Sequence, residues 1–323
     1  MIHAFGASPE AELLFDVRCA VGESPLWDVR RGRLWWVDAD KGALWWADLD
    51  GSPPEHVSLD PAPSFLALTA SGTLCVAAGR GWHCYDHDKR ALVELARPAS
   101  APSADWRLND GVVDAGGRIW TGSIGLPRSD KPNGALFRFA DDGVHVLADD
   151  LLTQNGLAIS PGGTTLYLAD SHPSRAIIWA HDLDPDTGQI ASRRVFHACK
   201  GGRPDGAAMD VEGGYWFALI DGGQILRLDA DGSVTHRVNV PVSRPTNLCF
   251  GGPDMRRCFI TSMRAGLGDA DLARQPLAGG IFSIEAPIAG VPVPHAGEFA
   301  ELAPSQRNGR NAAHFEITVE TSK

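Results

Sequence analysis

Three short polar strings, Gly22-Glu23-Ser24-Pro25, Gln154-Asn155-Gly156-Leu157 and Arg203-Pro204-Asp205-Gly206, each place one oxygen-bearing side chain at nearly the same distance before a hydrophobic run. Glu23 lies eleven residues before Leu34, Asn155 eleven before Leu166 and Asp205 ten before Tyr215. In a repeated structural unit equal phase means equal height, so these side chains are expected to converge on one point. Two carboxylates and an amide oxygen are hard donors. They suit one divalent ion, with Ca²⁺ the first choice by ligand type, Mg²⁺ and Mn²⁺ also suited, and Zn²⁺ or Fe²⁺ compatible with an open geometry. No histidine joins the set to narrow the choice.

The phase is set by an internal repeat. Six strand-like runs begin at Leu34, Leu74, Ile119, Leu166, Tyr215 and Cys258, spaced 40, 45, 47, 49 and 43 residues apart. That period matches one four-stranded propeller blade. Tight-turn signals such as Ser71-Gly72-Thr73 and Gly116-Gly117-Arg118 precede most of these runs. Before each turn lies a further apolar run, among them Phe65-Leu66-Ala67-Leu68 and Asn247-Leu248-Cys249-Phe250, expected to be the innermost strand. Third strands such as Ala43–Ala47 and Gln224–Leu228 follow, then acidic turns leading to a fourth. Helical periodicity is absent throughout. The chain reads as all-β, a six-bladed β-propeller of four-stranded blades around a central channel.

At the shared phase the six repeats offer Glu23, Ser64, Asn109, Asn155, Asp205 and Asn247. Asn and Asp also cap turns through their own backbone. A Glu, an Asp and three Asn at one level nevertheless favour convergence on a ligand at the channel mouth.

Composition bounds the remaining classes. The 323 residues show no linker-like break, so residues 1–323 are read as one domain. The segment 11–17 has no place in the first blade and is expected to close the last one as its outer strand. The tail from about 295 to 323 is expected to be peripheral, with Phe315–Val319 alternating like an edge strand. No leader-like start and no long apolar run is present, which points to a cytoplasmic protein with no membrane partner. The six cysteines show no close-spaced metal pairs and read as reduced thiols. A formal net charge of -11 argues against nucleic acid. The ten tryptophans, including Trp35-Trp36 and Trp45-Trp46, are expected to pack between blades.

The strings Gly22–Trp27, Arg107-Leu108-Asn109-Asp110-Gly111, Asn155–Ala158, Arg203–Gly206 and Leu277-Ala278-Gly279-Gly280-Ile281-Phe282 resemble the SMP-30/gluconolactonase/regucalcin family, in order and spacing, from about residue 12 to 292. The resemblance implies a six-bladed propeller that hydrolyses a sugar lactone at one divalent metal in the channel. It makes Glu23, Asn155 and Asp205 the metal ligands, with Asp205 also the general base on water. Arg107 and Asn109 become substrate contacts, and Asp170 and Arg264 match strings that line the pocket, with packing or surface ion-pair roles equally open. Some animal members carry acidic residues shortly after the strand matching Ile119–Gly122, where this chain reads Ser123-Ile124-Gly125-Leu126-Pro127. That departure falls at an edge where substrate is selected.

Other signals lead elsewhere. Asp182–Gly188 imitates a calcium-loop start but has Thr187 and Arg193 where that loop needs Gly and Glu, so it reads as a hairpin turn. Thr121-Gly122-Ser123-Ile124-Gly125 lacks the first glycine and the helix of a nucleophile elbow. His83 and His87 carry little metal signal in a β context. Gly79-Arg80-Gly81 lacks the third glycine of a dinucleotide fingerprint. Two further readings stay open: a calcium-binding regulatory propeller without turnover, and a hydrolase of another ester class. A small sugar lactone is the expected partner, and the chain is expected to be a monomer or weak oligomer.

Overall fold

The computed structural model describes residues 8–99 and 103–299. The first strand is β1 (Glu12–Phe15). Blade 1 follows as β2 (Gly22–Asp28), β3 (Arg33–Asp38), β4 (Ala43–Asp48) and β5 (Glu55–Ser58), and blade 2 as β6 (Pro63–Leu68), β7 (Leu74–Ala78), β8 (Gly81–Asp86) and β9 (Ala91–Ala96). Blade 3 holds β10 (Trp106–Val113), β11 (Ile119–Gly125), β12 (Gly134–Ala140) and β13 (Gly143–Leu151). Blade 4 holds β14 (Gln154–Ile159), β15 (Thr165–Asp170), β16 (Ile177–Leu183) and β17 (Ile190–Ala198). Blade 5 holds β18 (Arg203–Met209), β19 (Tyr215–Ile220), β20 (Gln224–Leu228) and β21 (Val234–Asn239). Blade 6 is built from β22 (Pro245–Gly251), β23 (Arg257–Ser262) and, after the short helix α1 (Asp269–Arg274), β24 (Ile281–Glu285).

All six sheets are four-stranded, and the sixth runs β1-β24-β23-β22, so the N-terminal strand is its outer edge. The ring closes where β22 packs against β2, giving the six-bladed propeller. Closure by one early strand ties the two ends of the repeat to the same sheet, which removes the open edge a five-and-a-half-blade ring would leave.

Both faces of each blade are covered, so the central strands read as continuous apolar runs. In blade 1 the register pairs Trp35 with Trp46 and Trp36 with Trp45. Successive side chains point to opposite faces of a strand. Trp35 accordingly joins a cluster with Leu66 and Val76 of blade 2, and Trp36 one with Cys249 and Phe259 of blade 6. These tryptophans are inter-blade packing. The six cysteines are free thiols.

The inner hairpins repeat one device. Asp28, Asp114 and Asp210, each at or just past the end of an innermost strand, accept backbone N–H groups of the turn that follows. In blade 5 this Asp is fully buried and also takes Trp216 Nε1 at 2.7 Å and Arg227 Nε at 2.6 Å. The helix α1 departs from the sequence reading, which contained no helix. It has six residues and buries none of them, so no apolar stripe exists to be read. No helix among the described residues is long and apolar enough to cross a membrane.

Of the C-terminal tail, the described residues end at 299. Val291 N donates to Met209 O, Ala296 bridges Thr69, and Phe299 packs at a tilt on Phe139 with centroids 4.2 Å apart. This strap crosses the end of the channel where the innermost strands finish. Beside it lies an apolar cavity of about 160 Å³ lined by Leu26, Leu66, Leu157, Met209, Leu248 and Val291. The segments 305–312 and 315–319 lie outside the described residues.

Candidate functional site

The opposite end of the channel is polar, and the cause is a shared irregularity. Every innermost strand breaks register with its neighbour near its start: between Glu23 and Leu26, Pro63 and Phe65, Leu108 and Gly111, Asn155 and Ala158, Pro204 and Ala207, and Pro245 and Asn247. A bulge leaves residues out of the ladder and re-aims their side chains. The residues at the shared phase sit at these breaks: Ser64, Asn109 and Asp205 fall within them, and Glu23, Asn155 and Asn247 are the paired residues that border them.

Glu23 and Asp205 reach the channel from blades 1 and 5. Asn247 Nδ2 donates to Glu23 Oε2 at 3.1 Å and, more loosely at 3.3 Å, to Asp110 Oδ1, so blade 6 bridges two carboxylates. Asn155 Oδ1 accepts from Asn109 Nδ2 at 2.6 Å, and its own Nδ2 donates to Ser171 Oγ at 2.8 Å. Ser171 Oγ in turn donates to Pro204 O, next to Asp205. Asn109 Oδ1 accepts from Arg107 Nη1 at 3.0 Å, and the same nitrogen donates to Leu108 O. Arg107, Asn109 and Asn155 are thus one hydrogen-bonded chain. Ser64 stands apart: its hydroxyl donates to Ala77 O within its own blade.

The glycines that follow the site residues are required by this convergence. A Cβ at Gly206 would fall on the Asn247 side chain. Gly156 has φ +57°, and a Cβ there would lie 2.6 Å from Tyr215 Oη, which donates to Gly156 O at 2.8 Å.

Sequence reasoning assigned no role to Asp110. It is buried, accepts Leu157 N at 2.9 Å from blade 4, and meets Asn247 from blade 6. The signal was available in Asn109-Asp110-Gly111: a bulge ending at a glycine frees two consecutive side chains rather than one. Asp170 is fully buried behind the site, where its carboxylate accepts Leu152 N, Thr153 N and Arg175 Nη1. Asp170 braces the loop that enters β14. Arg264 begins the long connection after β23, its backbone N–H bonded to Ala20 O.

The electrostatics follow from burial. Desolvation, and then the charge of Asp110, push the Glu23 carboxyl up to about 8. Asp205 is raised well above the ordinary range by desolvation and by the charges of Glu23 and Asp110. Desolvation lifts Asp110 to about 6, against the pull of the Leu157 and Gly111 amides. Arg107 is lowered by desolvation and by the like charge of Arg128. None of the three carboxylates forms an ion pair with a described residue.

Three buried carboxyl groups that are costly to ionise and that no described basic side chain pairs directly fit a cation, which would offset that cost. The described residues gather no three His, Cys, Asp or Glu side chains into a ready-made cage, so an ion would draw on amide oxygen as well. Asn155 Oδ1, which uses one lone pair on Asn109, retains another.

Known proteins resemble the chain across this whole ring. It is 37% identical over 279 residues to a 6-deoxy-6-sulfogluconolactonase of Pseudomonas putida, covering 85% of this chain and 94% of that protein. It is 32% identical over 286 residues to the regucalcin of Oryctolagus cuniculus, covering 86% and 95%. The crystal structure of a calcium-binding protein, regucalcin, from Agrobacterium tumefaciens superposes with a TM-score of 0.84 at 27% identity, covering 90% of this chain and all of that one. Residues 21–264 match the model of the SMP-30/Gluconolactonase/LRE-like region, a span that contains Glu23, Arg107, Asn109, Asn155 and Asp205. The chain belongs to the SMP-30/gluconolactonase/LRE-like family.

Proposed function

We propose that this protein hydrolyses a sugar aldonolactone to its aldonic acid, using one divalent metal ion held by Glu23, Asn155 and Asp205. The observation that carries the reading is the buried Glu23–Asp110–Asp205 carboxyl group cluster, bridged by Asn247 and free of ion pairs with described residues, beside the hydrogen-bonded Arg107–Asn109–Asn155 chain. The name of the Pseudomonas putida relative supports a sugar lactone as substrate, and the regucalcin names support Ca²⁺ as the ion.

When bound, the ion supplies positive charge that keeps the carboxylates ionised, polarises a lactone carbonyl and stabilises the developing oxyanion. Asp205 takes a proton from the attacking water as its oxygen bonds to the carbonyl carbon. The ring C–O bond then breaks, and the same proton passes from Asp205 to the departing ring oxygen. A positioned base of this kind contributes about 10²–10⁴-fold. Arg107, anchored through Nη1, has its other N–H groups free for lactone or hydroxyl oxygens. Asn109 spends both amide hydrogens on Gln154 O and Asn155 Oδ1, which leaves a lone pair on Oδ1 for a substrate hydroxyl. Its main work is to hold the substrate arginine and the metal-site amide in one geometry.

The test is acid release on a panel of five- and six-membered aldonolactones. Chelator-treated protein should fall to the spontaneous rate and recover on adding a divalent ion, and Asp205→Ala should stay at the spontaneous rate with its circular dichroism unchanged. Full activity in excess chelator would refute the metal role. No acid release above background with any ion would favour a calcium-binding propeller without turnover.

A further inference from the structure

The cations around the site are unevenly partnered. Arg203 and Arg244 both lean on Asp221, at 2.7 and 2.8 Å, and Arg80 on Asp105 at 2.7 Å. Arg128 is exposed and makes no ion pair or hydrogen bond with a described residue. It sits in the connection 126–133, which leaves β11 beside the start of β10, where Gly125 pairs with Trp106 and Ile124 with Arg107. This connection has eight residues, against two in blade 2 and three in blade 5. It is tied down on both flanks. Leu126 N donates to Asp105 O at 2.9 Å, and Asp130 lies 3.4 Å from His172 Nε2 on the neighbouring blade 4 loop. Arg128 therefore stands at the bend of an anchored loop, at the polar mouth.

Its charge is felt inside. Arg128 opposes the charge of Arg107 and favours that of Asp205. Arg203, the other guanidinium group that favours the charge of Asp205, is already held by Asp221 at 2.7 Å, which leaves Arg128 without a carboxylate partner among the described residues. Arg107 and Arg128, neither of them ion-paired with a described residue, both belong to blade 3 and its connection 126–133.

We propose that Arg128, with Arg107 behind it, is a specificity-determining contact for an anionic substituent on the substrate, a phosphate, sulfonate or carboxylate carried away from the lactone carbonyl. Guanidinium groups grip such oxyanions through paired N–H donors. A neutral sugar hydroxyl offers much less to the same donors. The inference rests on the lactonase reading for the sugar framework of the ligand, and its test reads binding rather than turnover.

The experiment is calorimetry on the calcium-loaded protein and on Arg128→Gln, with 6-phosphogluconate, glucarate and gluconate. These acids share the carboxylate formed by ring opening, so differences among them report the distal group. The wild-type protein should bind the two distally charged acids at least about tenfold more tightly than gluconate, and Arg128→Gln should lose most of that preference. A preference for only one of the two acids would identify which anion Arg128 reads. No preference in the wild type, including no measurable binding of any acid, overturns the proposal, as does a preference that survives Arg128→Gln. Acid release from unsubstituted gluconolactone, measured in parallel, tests the lactonase reading separately.

Discussion

Replacing Asp110 by Asn should make the metal-free protein more stable and its metal site weaker. The Asp110 carboxyl rises from an ordinary 3.8 to about 6 on burial, and the residue is only 7% exposed. A raised folded-state value means that the folded protein holds the proton more tightly than the unfolded chain. Stability is therefore lost as pH climbs from about 4 to 6, and the full penalty, about 3 kcal/mol, is present at pH 8. Asn carries no charge and escapes that penalty. It keeps an acceptor for Leu157 N, but its amide group would face Asn247 Nδ2, a clash of donors costing about 1 kcal/mol. The expected net gain is about 2 kcal/mol at pH 8, turning into a loss of about 1 kcal/mol below about pH 4, where the carboxyl penalty is gone and the donor clash stays. An ion at the site would lose the attraction of a neighbouring negative charge, so affinity should fall at least about tenfold. Urea unfolding in chelator at both pH values, with calcium calorimetry at pH 8, measures both effects. A variant that is less stable at pH 8, or that binds calcium as tightly as the wild type, would refute the account of Asp110.

Three further outcomes follow from the same structure. The melting-temperature gain from the metal should grow between about pH 5.5 and pH 8.5, because Glu23, Asp110 and Asp205 all have raised folded values, so that protons oppose the ion until pH passes them; a gain that is flat or falls with pH contradicts this. Gly206→Ala should cut calcium affinity more than about tenfold while leaving the β circular dichroism intact, since the new Cβ displaces Asn247 from its bridge; unchanged calorimetry would show that the ring is looser than described. Asp210→Ala should destabilise by about 3–5 kcal/mol in urea titration, because Arg227 and Trp216 Nε1 lose a buried partner; a loss below about 1 kcal/mol would mean that the pair is dispensable.

The sequence carried the repeat openly because blade formation is local. Each strand of a blade pairs with the next, so turn glycines and apolar runs recur at a near-constant interval. The interval placed Glu23, Asn109, Asn155, Asp205 and Asn247 at one height, and family strings attached expected roles to four of them. What the interval cannot encode is direction. The register breaks that turn these side chains inward are set by how each innermost strand meets its neighbour, and they decide that Ser64 bonds back to Ala77 while Asn247 bridges Glu23 and Asp110.

Asp110 shows the boundary most clearly. Its type and position were legible, but its partners come from blades 4 and 6, 47 and 137 residues away in the chain. The helix α1, with no buried face, left no pattern to read. The charge around Arg128 likewise depends on which carboxylates other arginines have already taken, and Asp221 serves both Arg203 and Arg244 only because blade 5 sits beside blade 6. Sequence alone therefore determined the fold and the level at which chemistry is concentrated, because both arise from short-range repetition. The tertiary structure alone decided which side chains converge there and how costly their ionisation becomes, because burial and Coulomb energy depend on neighbours brought together only when the ring closes.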